Sequence, residues 1–390
     1  MFIVILATVL GVGHLYLWWR LVRGTMAPGR GRRIVTAVLV LLGLLLFGTL
    51  VVPRMLDVAE PPWLAWPGYL WLAVVAYLLL AALVAEPIRF LLRPWAKRST
   101  PASPGAAALA TTGVNRRVFI ARATAVAAGA ASVGLVGYGA ATALGPPNLL
   151  RVPVRLRRLD PAFEGYRIAV VSDIHLGPLA GRAHTERIVE VINSADADLV
   201  AVVGDLVDGS VGELGGAAAP LRDLSSRDGA FFVTGNHEYF VDDTAEWLRE
   251  LERLGVQPLR NESTVIRRGG AAFDLVGVND IGGARIGDGP DFDRALAATD
   301  SARPTVLLAH QPVQVSDAAA HGVDLQLSGH THGGQMWPFH EVVRLVQPSL
   351  AGLSTVDGTQ LYVSRGAGFW GPPVRVGAPP DVTVVTLGAS

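Results

Sequence analysis

Four long apolar stretches in the first 144 residues constrain this chain more than any other feature: Phe2 to Val22, Ile34 to Val52, Gly68 to Ile88 and Val118 to Leu144. A helix needs roughly 20 apolar residues to cross a hydrocarbon core, and each stretch comes close to or exceeds that length. The first has no basic residue ahead of its apolar run, so it reads as a retained helix rather than a cleavable signal peptide.

Charge divides where hydrophobicity does. Before residue 150 there are 13 Lys or Arg and three acids (Asp57, Glu60, Glu86), and after it 20 basic residues face 30 acidic ones. A basic, apolar first portion is what a bilayer selects, so the membrane is one expected partner. The acidic remainder argues against a nucleic-acid groove. At some 240 residues it is long enough for one large core. The chain has no cysteine, which excludes disulfides, thiolate nucleophiles and zinc-thiolate sites.

Basic residues of short loops stay on the cytoplasmic side. Arg20, Arg23, Arg30, Arg32 and Arg33 follow the first span, and Arg89, Arg93, Lys97, Arg98, Arg116 and Arg117 separate the third from the fourth, whereas the loop between spans two and three has only Arg54. That pattern predicts an outside N-terminus and an extracytoplasmic domain after about residue 145. Trp63, Trp66, Tyr69 and Trp71 fit an aromatic belt at the outer interface. The fourth span opens on NRRVFI (Asn115 to Ile120), which resembles a twin-arginine export signal and implies the twin-arginine export machinery as a partner; the plainer alternative is a pair of ordinary flanking charges. Arg151, Arg155, Arg157 and Arg158 lie past this span and are assigned to the first strand of the folded domain. Glu86 is expected near water at a helix end and His14 as a satisfied interior polar group, with no buried charge pair of the kind that marks transport. The expected organisation is three spanning helices within 1–98, a cytoplasmic Pro/Ser/Ala/Gly-rich linker over 99–117, a fourth span over 118–144, and a soluble domain over 150–390.

From Arg167 onward, short β-branched runs (RIAVVSD, DLVAVVGD, GAFFVTGN, TVLLAHQ, VDLQLSGH) alternate with helical patterns at Arg182 to Asn193, Asp243 to Leu254 and Phe292 to Ala298. Such alternation predicts an α/β fold with a substantially parallel core, and ligands of such folds collect at the carboxyl ends of the strands. Five successive strand ends carry metal-binding residue types: Asp173 and His175; Asp205 and Asp208; Asn236 and His237; His310; His330 and His332. Each alone is more simply a capped turn or a hydrogen-bonded loop histidine. Together, in that order, they supply four donors for each of two cations if one Asp is shared. A pair of cations is the clamp used for phosphoryl hydrolysis, since it lowers the pKa of a bridging water and neutralises phosphate oxygens. The donors are all N or O, which suits Mn, Fe or Zn among others.

The motifs D-x-H, G-D-x-x-D, G-N-H-E, a lone His and G-H-T-H resemble those of the calcineurin-like metallophosphoesterase superfamily, over about residues 165–388. With GHTHGGQ and the tail SRGAGFWGPPVRVGAPPDVTVVTL, the chain looks similar to its membrane-associated bacterial branch, the UDP-2,3-diacylglucosamine hydrolase-like and YkuE-type phosphoesterases. The resemblance implies a four-layer sandwich of two β-sheets flanked by helices. It also implies a first metal on Asp173, His175 and His332, Asp205 bridging, a second metal on Asn236, His310 and His330, His237 serving the leaving-group oxygen, and Asp208 orienting a histidine. The function so implied is a membrane-anchored phosphoesterase with two divalent ions (Mn, Fe or Zn), acting on a phosphorylated lipid or envelope component. Its alternatives are a cytoplasm-facing nucleotide-sugar pyrophosphate hydrolase and a catalytically silent metal-binding sensor or scaffold. Phosphoprotein phosphatases of the superfamily have a phosphate-gripping arginine after G-D-x-x-D, where this chain has Gly209 and Ser210. Arg365 either takes over that contact or forms a surface pair. The loop Phe369-Trp370-Gly371-Pro372 either meets lipid or covers the site, or else anchors itself in the interior.

Overall fold

A computed structural model describes residues 2–56, 58–92, 94, 116–241 and 244–390, so most of the linker expected over 99–117 lies outside the described residues. The chain divides into two compact units, Met1–Tyr138 and Gly139–Ser390.

The first unit is helical: α1 (Phe2–Leu17) continues as a wider turn to Arg23, followed by α2 (Arg30–Leu56), α3 (Pro62–Leu91) and α4 (Arg116–Leu144), whose last turn belongs to the second unit. All four are long and apolar enough to cross a membrane. Sequence underestimates the polar order here. Glu86 is half-buried and forms ion pairs with Arg20 and with Arg89 (3.2 Å), while Tyr16 donates to it at 2.9 Å. Arg89 in turn donates to Thr124 at 2.7 Å, tying α1, α3 and α4 together. Pairing across nearly 70 positions is invisible to a linear reading, which is why Glu86 looked like a solvated helix end. His14 is satisfied on both ring nitrogens, by the Leu10 carbonyl (2.8 Å) and by the Trp71 indole N–H (3.1 Å). Of the expected belt, Trp63 is exposed, but Tyr69 is buried and donates to Glu60 at 3.1 Å, and Trp71 is committed to His14.

The second unit contains two six-stranded mixed sheets. The first has the order β1 (Asn148–Leu156), β12 (Asp381–Ala389), β2 (Tyr166–Val171), β3 (Leu199–Val203), β4 (Ala230–Val233), β5 (Val256–Pro258). The second has β10 (Gly352–Val356), β11 (Thr359–Val363), β9 (Leu325–Ser328), β8 (Thr305–Leu308), β7 (Ala271–Gly277), β6 (Glu262–Arg268). Strands β2 to β5 run parallel, as do β7, β8, β9 and β11.

Strand β2 shows why the central runs are apolar throughout. Ile168 and Val170 face the layer between the sheets, with Phe273, Leu308 and Leu327, while Ala169 and Val171 face the flanking helices, with Ile188 and Trp247. A strand buried on both faces cannot alternate. In the inter-sheet layer Phe163, Tyr166 and Phe273 meet edge to face at 5.1–5.3 Å. Helices α5 (Arg182–Ser194), α6 (Val211–Ala218) and α7 (Thr244–Arg253) cover the first sheet, and α8 (Phe292–Leu296) and α9 (Val315–Ala320) cover the second. This is the expected four-layer sandwich, and its parallel strands all end at one edge.

Candidate metal centre

The loops leaving β2 and β3 run side by side. Asp173 N–H donates to the Gly204 carbonyl and His175 N–H to the Asp205 carbonyl, both at 3.1 Å, so the two carboxylates are delivered as one rigid layer. His330 N–H then reaches across from the second sheet to both Asp173 oxygens (3.0 and 3.1 Å). Two glycines permit this crowding: a Cβ on Gly235 would lie 2.2 Å from Asp205 Oδ1, and one on Gly329 would lie 1.6 Å from Ser172 Oγ.

Backbone strain concentrates here. Asp173, His175, Asp205, His330 and His332 all have φ between 50° and 72°, the left-handed region. Each costs roughly 1–3 kcal/mol and persists only where surrounding contacts hold it. The sharp turning in GHTHGGQ therefore falls on the histidines themselves as well as on Gly333 and Gly334.

All nine residues singled out from sequence meet in one cleft, most of them buried and Asp208 at its open side. Asp173, His175 and His332 form one cluster, Asp205, His310 and His330 a second, and His175, Asp208 and His237 a third that shares His175. In the first, His175 Nε2 and His332 Nε2 are 3.0 Å apart, and Asp173 Oδ1 is 3.4 Å from the latter. In the second, His310 Nε2 lies 3.1 Å from Asp205 Oδ2, and His330 Nδ1 lies 2.9 Å from the side-chain oxygen of Asn236. Asp205 Oδ2 is also 3.8 Å from His175 Nε2, which places this carboxylate between the clusters.

Tautomers follow from the outer partners. His310 Nδ1–H donates to the Val203 carbonyl at 2.8 Å, leaving Nε2 facing the cleft, fully buried and outside hydrogen-bond geometry despite its nearness to Asp205. Asp208 Oδ1 accepts from His237 Nδ1–H (2.6 Å) and lies 3.1 Å from His175 Nδ1. Imidazole nitrogens and carboxylates aimed at shared space, with an orphaned buried nitrogen among them, fit divalent cations.

Electrostatics point the same way. Burial raises Asp173, whereas for Asp205 burial is outweighed by the nearby His310 charge, with that of His237 adding to it, which together hold it well below the usual carboxylate range. Burial disfavours charge on His330, with the His310 charge adding to it, and takes its pKa down to about 4; burial and the His175 and Arg375 charges lower His332. His237 goes the other way: burial opposes its charged form, yet the Asp208 hydrogen bond and the Asp205 and Asp208 charges raise it to about 9. Its ring is 4.9 Å from that of Phe240 and 5.7 Å from that of Trp370.

Two residues that organise the cleft carry no sequence signal of that role. Glu238, the last residue of G-N-H-E, accepts from the backbone N–H of Gly235, Asp205 and Leu206 at 2.6–3.0 Å. Arg375, fully buried, donates to the carbonyls of His332 (2.9 Å) and Arg365 (2.7 Å), and its Nη2 lies 3.2 Å from His332 Nδ1. Only its setting in an apolar tail could have hinted at this. Arg365 is held by Asp381 at 2.8 Å, a structural pair with a buried carboxylate. Gly209 follows G-D-x-x-D directly, and Ser210 after it opens a helix (Val211–Ala218), with its N–H and hydroxyl donating to Glu213 at 3.1 and 3.0 Å. The 369–372 loop splits the two expectations: Phe369 is buried beside Ala143 and Ala180, and Trp370 is exposed.

Residues 166–334 match the family described as Calcineurin-like phosphoesterase. The chain is 32% identical over 399 residues to a transmembrane protein with metallophosphoesterase domain from Danio rerio, covering 99% of this chain and 89% of that one. It is 40% identical over 259 residues to an uncharacterized metallophosphoesterase of Helicobacter pylori (65% of this chain, 68% of that one). It is also 30% identical over 274 residues to the uncharacterized metallophosphoesterase YkuE of Bacillus subtilis (67% and 93%).

Proposed function

The chain belongs to the calcineurin-like phosphoesterase family, as a membrane protein and metal-dependent phosphoester hydrolase, and from that premise we propose that it uses two divalent ions to cleave a phosphomonoester or phosphodiester of a lipid or cell-envelope component. In this reading Asp173, His175 and His332 hold one ion, Asn236, His310 and His330 hold the other, and Asp205 serves both. The observation that carries it is the buried convergence of the His175 and His332 Nε2 atoms, with Asp173 beside them and the orphaned His310 Nε2 across Asp205. When bound, such ions neutralise phosphate oxygens and make a water-derived nucleophile available near neutral pH. Mn, Fe and Zn all suit the N and O donors.

The chain's own groups do the rest. Asp208 fixes His237 with Nδ1–H outward, so a protonated His237 presents Nε2–H as a donor to the leaving-group oxygen. Phe240 and Trp370 flank that ring and restrict water on its side. With Gly209 and Ser210 after G-D-x-x-D and Arg365 committed to Asp381, the arginine grip of a protein phosphatase is missing from both places, which supports a substrate other than a phosphoprotein.

Two experiments test this reading. Purified full-length protein reconstituted with Mn or Zn should hydrolyse generic aryl phosphomonoesters or phosphodiesters, and inactivity on both classes at full metal occupancy would sink it. The asymmetry of loop arginines supports an extracytoplasmic catalytic domain, exported with the help of NRRVFI. A reporter fused after Ser390 that works only in the cytoplasm would instead favour the nucleotide-sugar pyrophosphate reading.

A further inference from the structure

Large apolar side chains on the surface of the second unit are confined to one edge. Among its described residues ten are exposed. All of them sit on segments that leave the carboxyl ends of strands, or on β10, which starts beside the end of β11. This is the edge that holds the metal cleft, and the opposite edge, where the parallel strands begin, exposes none.

Half of them lie on one excursion after β9. Trp337, Phe339, Val342, Leu345 and Val346 are 51–84% exposed, on backbone wound by bonds from Val342 N–H to the Phe339 carbonyl (2.9 Å) and from Leu345 N–H to the Val342 carbonyl (3.2 Å). Gln335 clips this excursion to the Trp370 loop, donating to the Trp370 carbonyl at 2.9 Å and accepting from Trp370 N–H at 3.0 Å. Trp370 borders His237, so the apolar surface runs to the lip of the cleft. Phe240 and Ile286 stand on other segments leaving the same edge.

Charge is muted on this face: Glu341 and Arg344 pair with each other at 3.3 Å. The last turns of α4, which belong to this unit, meet the segment that holds Trp337. Gly139 accepts from Arg375 N–H at 2.9 Å, and the residue after Arg375, Val376, accepts from Trp337 N–H at 2.9 Å, so Gly139 lies one strand's width from Trp337. Concentrated exposed apolar surface marks a contact site, and Trp with aliphatic neighbours is the composition of the water–lipid boundary. We propose that the Trp337–Val346 excursion, together with Trp370, seats in the head-group and upper acyl region of a lipid bilayer. The substrate is then an amphiphile whose phosphoester enters the cleft while its apolar chains stay in the membrane. This rests on the phosphoesterase reading and adds the substrate's route to it.

The chain's lack of cysteine makes a direct test available. Leu345→Cys in the full-length protein, labelled with bimane and placed in phosphatidylcholine nanodiscs, should be quenched by a lipid spin-labelled near the head group, about threefold more than a Ser225→Cys control, and shielded from aqueous iodide. Ser225 is exposed ahead of β4, on the far edge. Iodide access without lipid quenching overturns the proposal, as does shielding from both quenchers, which assigns the face to a protein partner or a second copy. On the same discs, Phe339→Ser with Leu345→Ser should lower hydrolysis of an acyl-anchored aryl phosphate about tenfold and leave its chainless counterpart within twofold. Equal effects on both substrates overturn the proposal. Failure of the unaltered protein to cleave the chainless compound would instead remove the phosphoesterase reading, with the quenching result left to stand by itself.

Discussion

The two sheets reach the same cleft in the same way, by parallel strands that stop at a common edge, yet they bring different chemistry. Loops of the first sheet deliver the carboxylates Asp173, Asp205 and Asp208 with Asn236, His175 and His237, whereas those of the second deliver the imidazoles His310, His330 and His332 to the clusters. The first wall pins its histidines with a carboxylate, Asp208. On the second, His310 is pinned by the Val203 carbonyl at the end of β3, across from its own sheet, and the Arg375 cation is set against His332. The clustered carboxylates thus reside on one wall, while the other adds only imidazoles to the clusters. Loss of a carboxylate from the first wall changes the charge of the centre, and loss of an imidazole from the second changes mainly its number of donors.

That contrast can be broken by measurement. Asp205→Asn should have the largest effect, lowering kcat by several orders of magnitude and releasing both ions, because the proposed site loses the one carboxylate that would serve both, which lies between His310 and His175. His330→Ala on the opposite wall should lower bound metal from two ions to one while keeping the fold. Equal metal loss in the two variants, read by elemental analysis of the same preparations, would end the division of labour. Asp208→Asn is expected to cost about 10–100-fold in activity or metal affinity, the usual range for a group that orients ligands, and the loss should appear in kcat through His237 as well as in metal retention through His175. Glu213→Ala stands at the small end. It removes the bonds from Ser210 and should lower stability by about 1 kcal/mol with kcat unchanged. A fall in kcat there would mean that the helix following G-D-x-x-D does more than hold its own end.

What could be read in the sequence follows the same logic. A strand buried on both faces must be a continuous apolar run, and a ligand must be an acid, amide or imidazole, so the strand ends and the nine residues on them are visible in one dimension. Arg375 and Glu238 are not, because they act through backbone carbonyls and amides that any residue provides. The parallel pairing of β1 with β12 joins the two ends of the second unit, and the Glu86 cluster joins three helices; neither leaves a local pattern. The exposed face from Trp337 to Val346 is not legible in sequence either, since hydrophobicity alone does not say which solvent a residue meets.

The left-handed backbone at Asp173, His175, Asp205, His330 and His332 carries a consequence for selection. Glycine or asparagine at any of these positions would relieve local strain while removing or weakening a donor. Variants chosen for heat resistance without metal should therefore drift toward glycine at these positions of the proposed metal site, whereas selection for activity with metal present should hold them fixed. In that arrangement durability and activity pull on the same five residues in opposite directions.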